Sequence, residues 1–183
     1  SYTPCSTSGD EGGSSSGEGL YNLAELDRNA DGTNDTQDDA CGDLPYIVME
    51  KSFVSATPNA NGSYDVVYEI SVINNGGATG TYSLTDTPSF DDDVTIVEGS
   101  VSGTAEDTFV GNPGTLTLIE NASLDAGATD LFTVTFNVTL DLEDGSTDGG
   151  DNVYTPCSVS GSGPGSNPNE GLYNSAALDR NAD

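Results

Sequence analysis

The amino-acid sequence predicts an all-β, antiparallel sandwich preceded by a loop-rich segment that binds a metal ion. From Tyr46 onward, apolar and polar residues alternate with the period of strands that bury one face. Residues 1–45 lack this alternation and are rich in Gly, Ser and Asp. The opening also returns near the end of the sequence, which indicates a repeated unit.

The repeat has a fixed period. The tetrapeptide Tyr-Thr-Pro-Cys occupies residues 2–5 and 154–157, and Gly-Leu-Tyr-Asn occupies 19–22 and 171–174, an offset of 152 in both cases (154 − 2 and 171 − 19). Roughly two-thirds of the overlapping positions are identical, far beyond chance. We call residues 2–31 the first copy and 154–183 the second copy, and we interpret the sequence as a segment of a longer array.

This interpretation divides the chain into four parts. They are a junction segment (1–45), a sandwich (46–142), a polar connector (143–153) and the start of the next repeat (154–183).

Within the junction segment, residues 20–26 carry the only helical signal. Leu23 and Leu26 have the spacing of one short turn that leads into an acidic loop.

Six later stretches are predicted as strands, at 46–54, 64–72, 80–86, 94–101, 114–119 and 132–140. The clearest alternation is in 64–72 and 132–140. The sequence Asn-Asn-Gly-Gly at 74–77 is a turn signal. Short strands about 10–15 residues apart favour an antiparallel sandwich, and about 100 residues suffice for its core.

Residues 27–38 match a calcium-binding loop of the EF-hand kind. Oxygen-bearing side chains fall at loop positions 1, 3, 5, 9 and 12, a glycine at position 6 permits the sharp turn, and position 7 offers its carbonyl. The predicted ligands are Asp27, Asn29, Asp31, Thr33, Asp35 and Asp38. Position 12 is Asp rather than the usual Glu, so Asp39 is an alternative ligand or binds a second ion. The other interpretation is a solvated acidic loop.

Comparison of the two copies reduces the number of candidate calcium ligands. Glu18 is retained in the second copy and stays a candidate for an extra calcium contact, whereas the residues equivalent to Asp10, Glu11 and Glu25 are not acidic. The second copy repeats the first three loop ligands as Asp179, Asn181 and Asp183.

Each repeat supplies two cysteines, Cys5 and Cys41, and Cys157 opens the next repeat. We predict a Cys5–Cys41 disulfide that closes the calcium segment and stabilises it by about 3–4 kcal/mol. Two alternatives stay open: a Cys41–Cys157 disulfide that joins one repeat to the next, and free thiols. Either disulfide implies secretion.

Lys51 is the only lysine, and its strand phase places it on the core face. Asp86 and Asn74 are in phase with the core as well. Two interpretations compete: a buried Lys51–Asp86 ion pair, and an isopeptide bond from Lys51 to an Asp or Asn. The run of aspartates at 91–93 is predicted to be a solvated loop.

Composition excludes several function classes. The net charge is −28 with three basic residues, which excludes nucleic acid as a partner and makes an anionic membrane repulsive. The chain has no histidine, so Ser–His and Cys–His catalysis and His-ligated zinc are impossible. No run of about 18 apolar residues exists, so no membrane insertion is expected in this segment. We expect no enzyme and no cofactor other than calcium.

Four pieces of the sandwich carry a family resemblance. They are Tyr-Ile-Val-Met-Glu-Lys-Ser at 46–52, Tyr-Glu-Ile-Ser-Val-Ile-Asn-Asn-Gly at 68–76, Leu-Thr-Asp-Thr-Pro at 84–88 and Leu-Asp-Ala-Gly-Ala at 124–128. In this order they resemble "domain of unknown function eleven", an immunoglobulin-like repeat of bacterial and archaeal surface proteins. The acidic loop resembles those of thrombospondin type 3 repeats and dockerins. The resemblance covers residues 46–142 and implies an exported tandem module with an immunoglobulin-like sandwich and no enzymatic activity.

Together these features predict a structural extracellular repeat protein that forms a calcium-stiffened surface filament, stalk or adhesin shaft. Its partners would be neighbouring repeats or identical subunits, and open strand edges would allow strand sharing between them. The alternative is a calcium-dependent polysaccharide-binding module of a secreted protein, with Tyr2, Tyr21 and Tyr46 as candidates for sugar stacking. A hydrolase using two carboxylates is a third class.

Overall fold

The structure is a computed structural model that describes residues 2–6, 14–143, 151, 153–158 and 167–180. Over these residues it contains ten β-strands and no helix, which confirms the all-β class. Accordingly, this part of the chain offers no apolar helix of membrane-spanning length.

The strands follow one another in chain order as β1 (Asn22–Leu26), β2 (Thr36–Ala40), β3 (Ile47–Pro58), β4 (Tyr64–Asn74), β5 (Gly80–Pro88), β6 (Val94–Gly103), β7 (Asp107–Val110), β8 (Leu116–Leu124), β9 (Thr129–Leu140) and β10 (Asn174–Arg180). All six predicted strands are present, and β1, β2, β7 and β10 are additional.

The strands form three sheets. β1 and β2 form a hairpin, β10-β5-β8 form a three-stranded sheet, and β3-β4-β9-β6-β7 form a five-stranded sheet. The pairings β1–β2, β10–β5, β6–β7 and β6–β9 are antiparallel. Tyr82 on β5 donates a hydrogen bond to Asp130 on β9 (2.5 Å), so the two larger sheets face each other as in an antiparallel β-sandwich.

The core has the alternation that the sequence predicts. β4 buries Val66, Tyr68, Ile70 and Val72, and β9 buries Phe132, Val134, Phe136 and Val138. Burial of alternate side chains is the hydrophobic driving force for pairing these strands. At the strand ends the pattern weakens, because Tyr64 and Leu140 are exposed.

The predicted helical turn at 20–26 is wrong. Residues 22–26 form β1, whose register with β2 runs from Asn22 opposite Ala40 to Leu26 opposite Thr36. The partner strand follows the acidic loop in the sequence. The spacing of two leucines within 20–26 therefore gives no information about the backbone hydrogen bonds between the two strands. Tertiary pairing overrides such a short helical signal.

The predicted solvated loop at 91–93 is also wrong. Asp91 and Asp93 are only 1% and 0% exposed. The second copy contacts the first of these residues, because the Thr155 N–H donates to Asp91 Oδ2 at 2.9 Å.

The chain divides into two compact units. One comprises Ser1–Val48, Ile73–Thr81 and Ser123–Thr129, and it holds the hairpin. The other comprises Met49–Val72, Tyr82–Ala122 and Asp130–Asp183, and it holds most of the sandwich and the second copy. The boundaries expected from sequence at 45/46, 142/143 and 153/154 stay predictions.

Candidate functional site

The acidic loop is closed by the β1–β2 hairpin and organised by its own side chains. Asp27 accepts hydrogen bonds from the N–H groups of Asn29 (3.2 Å) and Gly32 (2.9 Å). Asp31 accepts from the Thr33 N–H (2.8 Å) and from the Asn29 amide (2.9 Å). Gly32 has φ +86°, the left-handed conformation that favours glycine. Four of the predicted ligand positions therefore lie in one folded loop.

These contacts also set the charge of the loop. The Gly32 N–H lowers the pKa of Asp27, and the Thr33 N–H lowers the pKa of Asp31. A third carboxylate, Asp35, accepts from the Arg28 N–H at 2.7 Å. Hydrogen bonds to an ionised carboxylate favour the charged form, so the loop offers hard anionic oxygens of the type that calcium takes.

Two predicted ligands lie on a strand, at loop position 12 and just after it. Asp38 and Asp39 are on β2, opposite Ala24 and Leu23. Neighbouring residues on a strand face opposite sides, so only one of the two can point toward any given ion. In the described part of the chain, no three or more Cys, Asp or Glu side chains form a group that could hold a metal. Calcium binding stays a prediction.

Glu18, the predicted extra ligand, has another role here. Its carboxylate accepts from the N–H of Ser6 (2.9 Å), the hydroxyl of Ser6 (2.9 Å) and the N–H of Ser15 (3.2 Å). The second copy has the same arrangement, in which Glu170 accepts from the backbone N–H groups of Ser158 (3.0 Å) and Asn167 (3.2 Å). Each glutamate thus binds described residues on both sides of a Ser/Gly-rich stretch of the sequence.

The second copy supplies one predicted ligand to the described structure. Asp179 lies on β10 and is exposed. The other two, Asn181 and Asp183, lie outside the described residues.

The predicted Cys5–Cys41 disulfide is confirmed, with a Cα–Cα distance of 6.0 Å. The alternative Cys41–Cys157 pairing is therefore wrong, and Cys157 is a free thiol beside the Glu170 carbonyl (3.4 Å). In both copies the cysteine packs on a glycine, Gly19 or Gly171. A Cβ there would lie 2.5 Å from Cys5 Sγ or 2.7 Å from Cys157 Sγ, so the two copies share the same tight local fold.

Lys51 and Asp86 form a partly buried ion pair, as one interpretation predicted. The Lys51 side chain is 13% exposed and Asp86 is fully buried. The Tyr68 ring lies 5.1 Å from the Lys51 ammonium. Burial lowers the pKa of Lys51, and the charge of Asp86 opposes that shift.

Sequence reasoning missed the third polar residue of this cluster. Asn174 on β10 donates from Nδ2 to Asp86 Oδ2 at 2.9 Å. Asn74, which the sequence also placed in phase with the core, is a buried turn residue that accepts from the Tyr46 and Gly76 N–H groups, both at 3.0 Å. The available signal was the recurrence of Asn22 as Asn174, which places the same residue type after the sandwich strands.

The second copy completes the edge of the three-stranded sheet. β10 pairs with β5, from Asn174 opposite Pro88 to Arg180 opposite Tyr82. The ladder continues beyond β10, because the Ser89 N–H donates to the Tyr173 carbonyl at 2.9 Å.

The two copies use opposite edges of the same strand. In the first copy, the Leu20 N–H donates to the Gly42 carbonyl (2.8 Å), in register with the β1–β2 ladder. In the second copy, the Ser89 N–H donates to the carbonyl of Tyr173, which is equivalent to residue 21, in register with the β10–β5 ladder. Because backbone groups of alternate residues point to alternate sides of a strand, one strand can pair with a β2 and a β5 at the same time.

Two of the candidate sugar-stacking tyrosines pack on each other. The Tyr2 and Tyr46 ring centroids are 6.1 Å apart. The Tyr2 hydroxyl also donates to Asp43 and accepts from the Leu44 N–H, both at 3.0 Å. Tyr21 is half-buried.

No family model, curated protein or solved structure matches this chain. The family resemblances described above therefore stay predictions.

Proposed function

We propose that this chain is a structural extracellular repeat protein whose units join by strand donation. Strand β1 of each unit adds to strand β5 of the preceding unit, and the units form a filament, stalk or adhesin shaft. One observation carries the proposal: residues 174–180, which open the next repeat, lie against β5 as an antiparallel sheet strand. A strand that leaves its own unit to complete another is a general means of linking protein subunits.

The differences between the copies fit this pairing. Four side chains of β10 lie on the same face of the sheet as the buried residues of β5 with which they pair: Asn174, Ala176, Leu178 and Arg180. The first copy has the same four residue types at 22, 24, 26 and 28. The copies differ at 175 and 177, where Leu and Glu of the first copy become Ser and Ala. Those two positions face the other side of the strand, where no match to β5 is required.

The exposure of two leucines in the first copy also supports strand donation. Leu20 and Leu26 are 54% and 52% exposed. Their second-copy equivalents, Leu172 and Leu178, are half-buried, with Leu178 opposite the fully buried Leu84. An exposed strand edge with apolar side chains is a template for pairing. The first copy is thus suited to dock on a preceding unit.

Calcium has a defined place in this proposal. The acidic loop follows β1 directly, so an ion held by Asp27, Asn29, Asp31 and Asp35 would stiffen the hairpin that carries the donated strand. Calcium would also offset part of the net charge of −28. The disulfide supports an extracellular, cell-surface or secreted location.

The test compares two chain lengths. The full chain fills its own β5 edge with residues 174–180, so we expect it to be monomeric. A chain ending at residue 153 has an open β5 edge and an open β1 edge, so we expect linear multimers by light scattering and electron microscopy. Adding a peptide of residues 154–180 should shorten them. A folded, monomeric 1–153 chain that ignores the peptide would overturn the proposal.

A further inference from the structure

Three reactive side-chain groups meet where the second copy docks. One Asp86 carboxyl contacts the Lys51 amine through Oδ1 and the Asn174 amide nitrogen through Oδ2, the latter at 2.9 Å. Asp86 is fully buried. The Asn174 carbonyl oxygen is buried and has no hydrogen-bond partner among the described residues. An unsatisfied buried amide oxygen is costly, so this arrangement requires an explanation.

We propose that Lys51 and Asn174 form an isopeptide bond, with Asp86 as the proton relay, so that each repeat becomes covalently joined to the strand it receives. The inference rests on the proposed strand donation, because Asn174 belongs to the next repeat. It differs from a cross-link within one sandwich, since the two bonded residues are on β3 of one unit and on the first strand of the following one.

The chemistry is an amide exchange that balances without an oxidant or cofactor. The Lys51 ammonium gives a proton to Asp86 Oδ1, and the resulting amine attacks Asn174 Cγ. Asp86 gives a proton to Nδ2, the Cγ–Nδ2 bond breaks, and ammonia leaves. Asp86 then takes the remaining proton from the new amide nitrogen and passes it to the ammonia. The net change is an ammonium ion released and one C–N bond exchanged for another.

The surroundings favour each step. Burial lowers the pKa of Lys51, which makes the nucleophilic amine more accessible. The Tyr68 ring, 5.1 Å from Nζ, excludes water on one side. The Tyr68 hydroxyl in turn donates to the Leu172 carbonyl, which holds the incoming strand beside the amine. Positioning of this kind replaces a bimolecular encounter with a reaction between fixed groups.

The first test is the mass of the full chain after reduction and denaturation. We expect this mass to fall short of the value calculated from the sequence by the mass of one ammonia molecule. Trypsin should then fail to cut after Lys51 and should release residues 29–180 as one peptide with the same deficit. An unmodified mass with complete cleavage after Lys51 would overturn the cross-link.

Matched variants locate the bond. Lys51→Arg keeps the charge beside Asp86 without a nucleophilic amine, and Asp86→Asn keeps the size of the relay without its acid–base function. Both should restore the full mass, as should Asn174→Ala. Asn22→Ala changes the equivalent first-copy residue and should retain the deficit. If the deficit survives in Asn174→Ala, the bond lies elsewhere and the assignment is wrong.

Hydrogen exchange separates this inference from the proposed function. The amides of Ser175 and Ala177 face β5 in the observed register, so slow exchange there reports strand docking. Slow exchange with an unmodified mass would refute the cross-link and leave strand donation standing. Fast exchange of the Ser175 and Ala177 amides in the Lys51→Arg chain would refute strand donation itself, whether or not the unmutated chain shows the mass deficit.

Discussion

The two copies contain a matched pair of leucines that tests strand docking quantitatively. Leu178 lies on β10 opposite the fully buried Leu84, whereas the equivalent Leu26 is 52% exposed. Complete burial of a leucine side chain stabilises by about 1.5–3 kcal/mol. For the half-buried Leu178, we expect Leu178→Ala to weaken docking by about 1–2 kcal/mol, which is roughly a 5- to 30-fold rise in the open population. Leu26→Ala in the same chain should cost less than about 0.5 kcal/mol.

The assay is amide hydrogen exchange at Ser175 and Ala177, read by nuclear magnetic resonance. Both variants are made in the Lys51→Arg chain, so that a covalent tether cannot mask the opening of the strand. We expect exchange at these two amides to accelerate about 5- to 30-fold in Leu178→Ala and to be unchanged in Leu26→Ala. Equal rates in the two variants would refute the docking of β10 on β5.

Three further results are expected. Cys41→Ser should lower the free energy of unfolding of the hairpin-containing unit by about 4 kcal/mol in urea denaturation, because the disulfide joins residues 36 positions apart. Cys157→Ser should change that free energy little. Similar losses of stability in the two variants would contradict this prediction. The carboxyl of Glu170 has a pKa lowered to about 2, chiefly by hydrogen bonds from Asn167 and Ser158, so its stabilisation is fully present above its ordinary value of 4.5 and is lost as pH falls through about 2. A titration midpoint near 4.5 in carboxyl chemical shifts would refute that anchoring role. Calcium at 100-fold its Kd should stabilise the folded chain by about 2.7 kcal/mol. In titration calorimetry, Asp31→Asn should weaken calcium binding and Asp92→Asn should not. Identical binding isotherms for the two variants would show that the acidic loop is not the calcium site.

The sandwich strands were predictable because burial leaves a period in the sequence. Alternating apolar residues marked β4 and β9. The same alternation placed the side chains of Lys51 and Asp86 on the core faces of their strands, where they form an ion pair. The hairpin was not predictable in this way. β1 is exposed on all five residues, so its sequence carries no burial signal and its leucines suggested a helical turn instead.

The docking of the second copy could not be predicted from local pattern at all. Asp91 is buried, and its carboxylate accepts a hydrogen bond from the backbone of Thr155, more than sixty residues later. The run of three aspartates therefore looked like a solvated turn. Likewise, Asn174 joined the Lys51 cluster through a long-range strand pairing. The sequence did contain the recurrence of residues 19–22, which identified the copies but not the surface that the second copy would meet.

The most direct test of strand donation is hydrogen exchange on the outward edge of β1. The β1–β2 register assigns the Ala24 and Leu26 amides to β2 and leaves the Leu23 and Glu25 amides on the open edge. In the full chain, we predict slow exchange at the first pair and fast exchange at the second. In the chain ending at residue 153, assembly should make all four slow, because a neighbouring β5 covers the open edge. Multimers in which Leu23 and Glu25 still exchange fast would contradict the account.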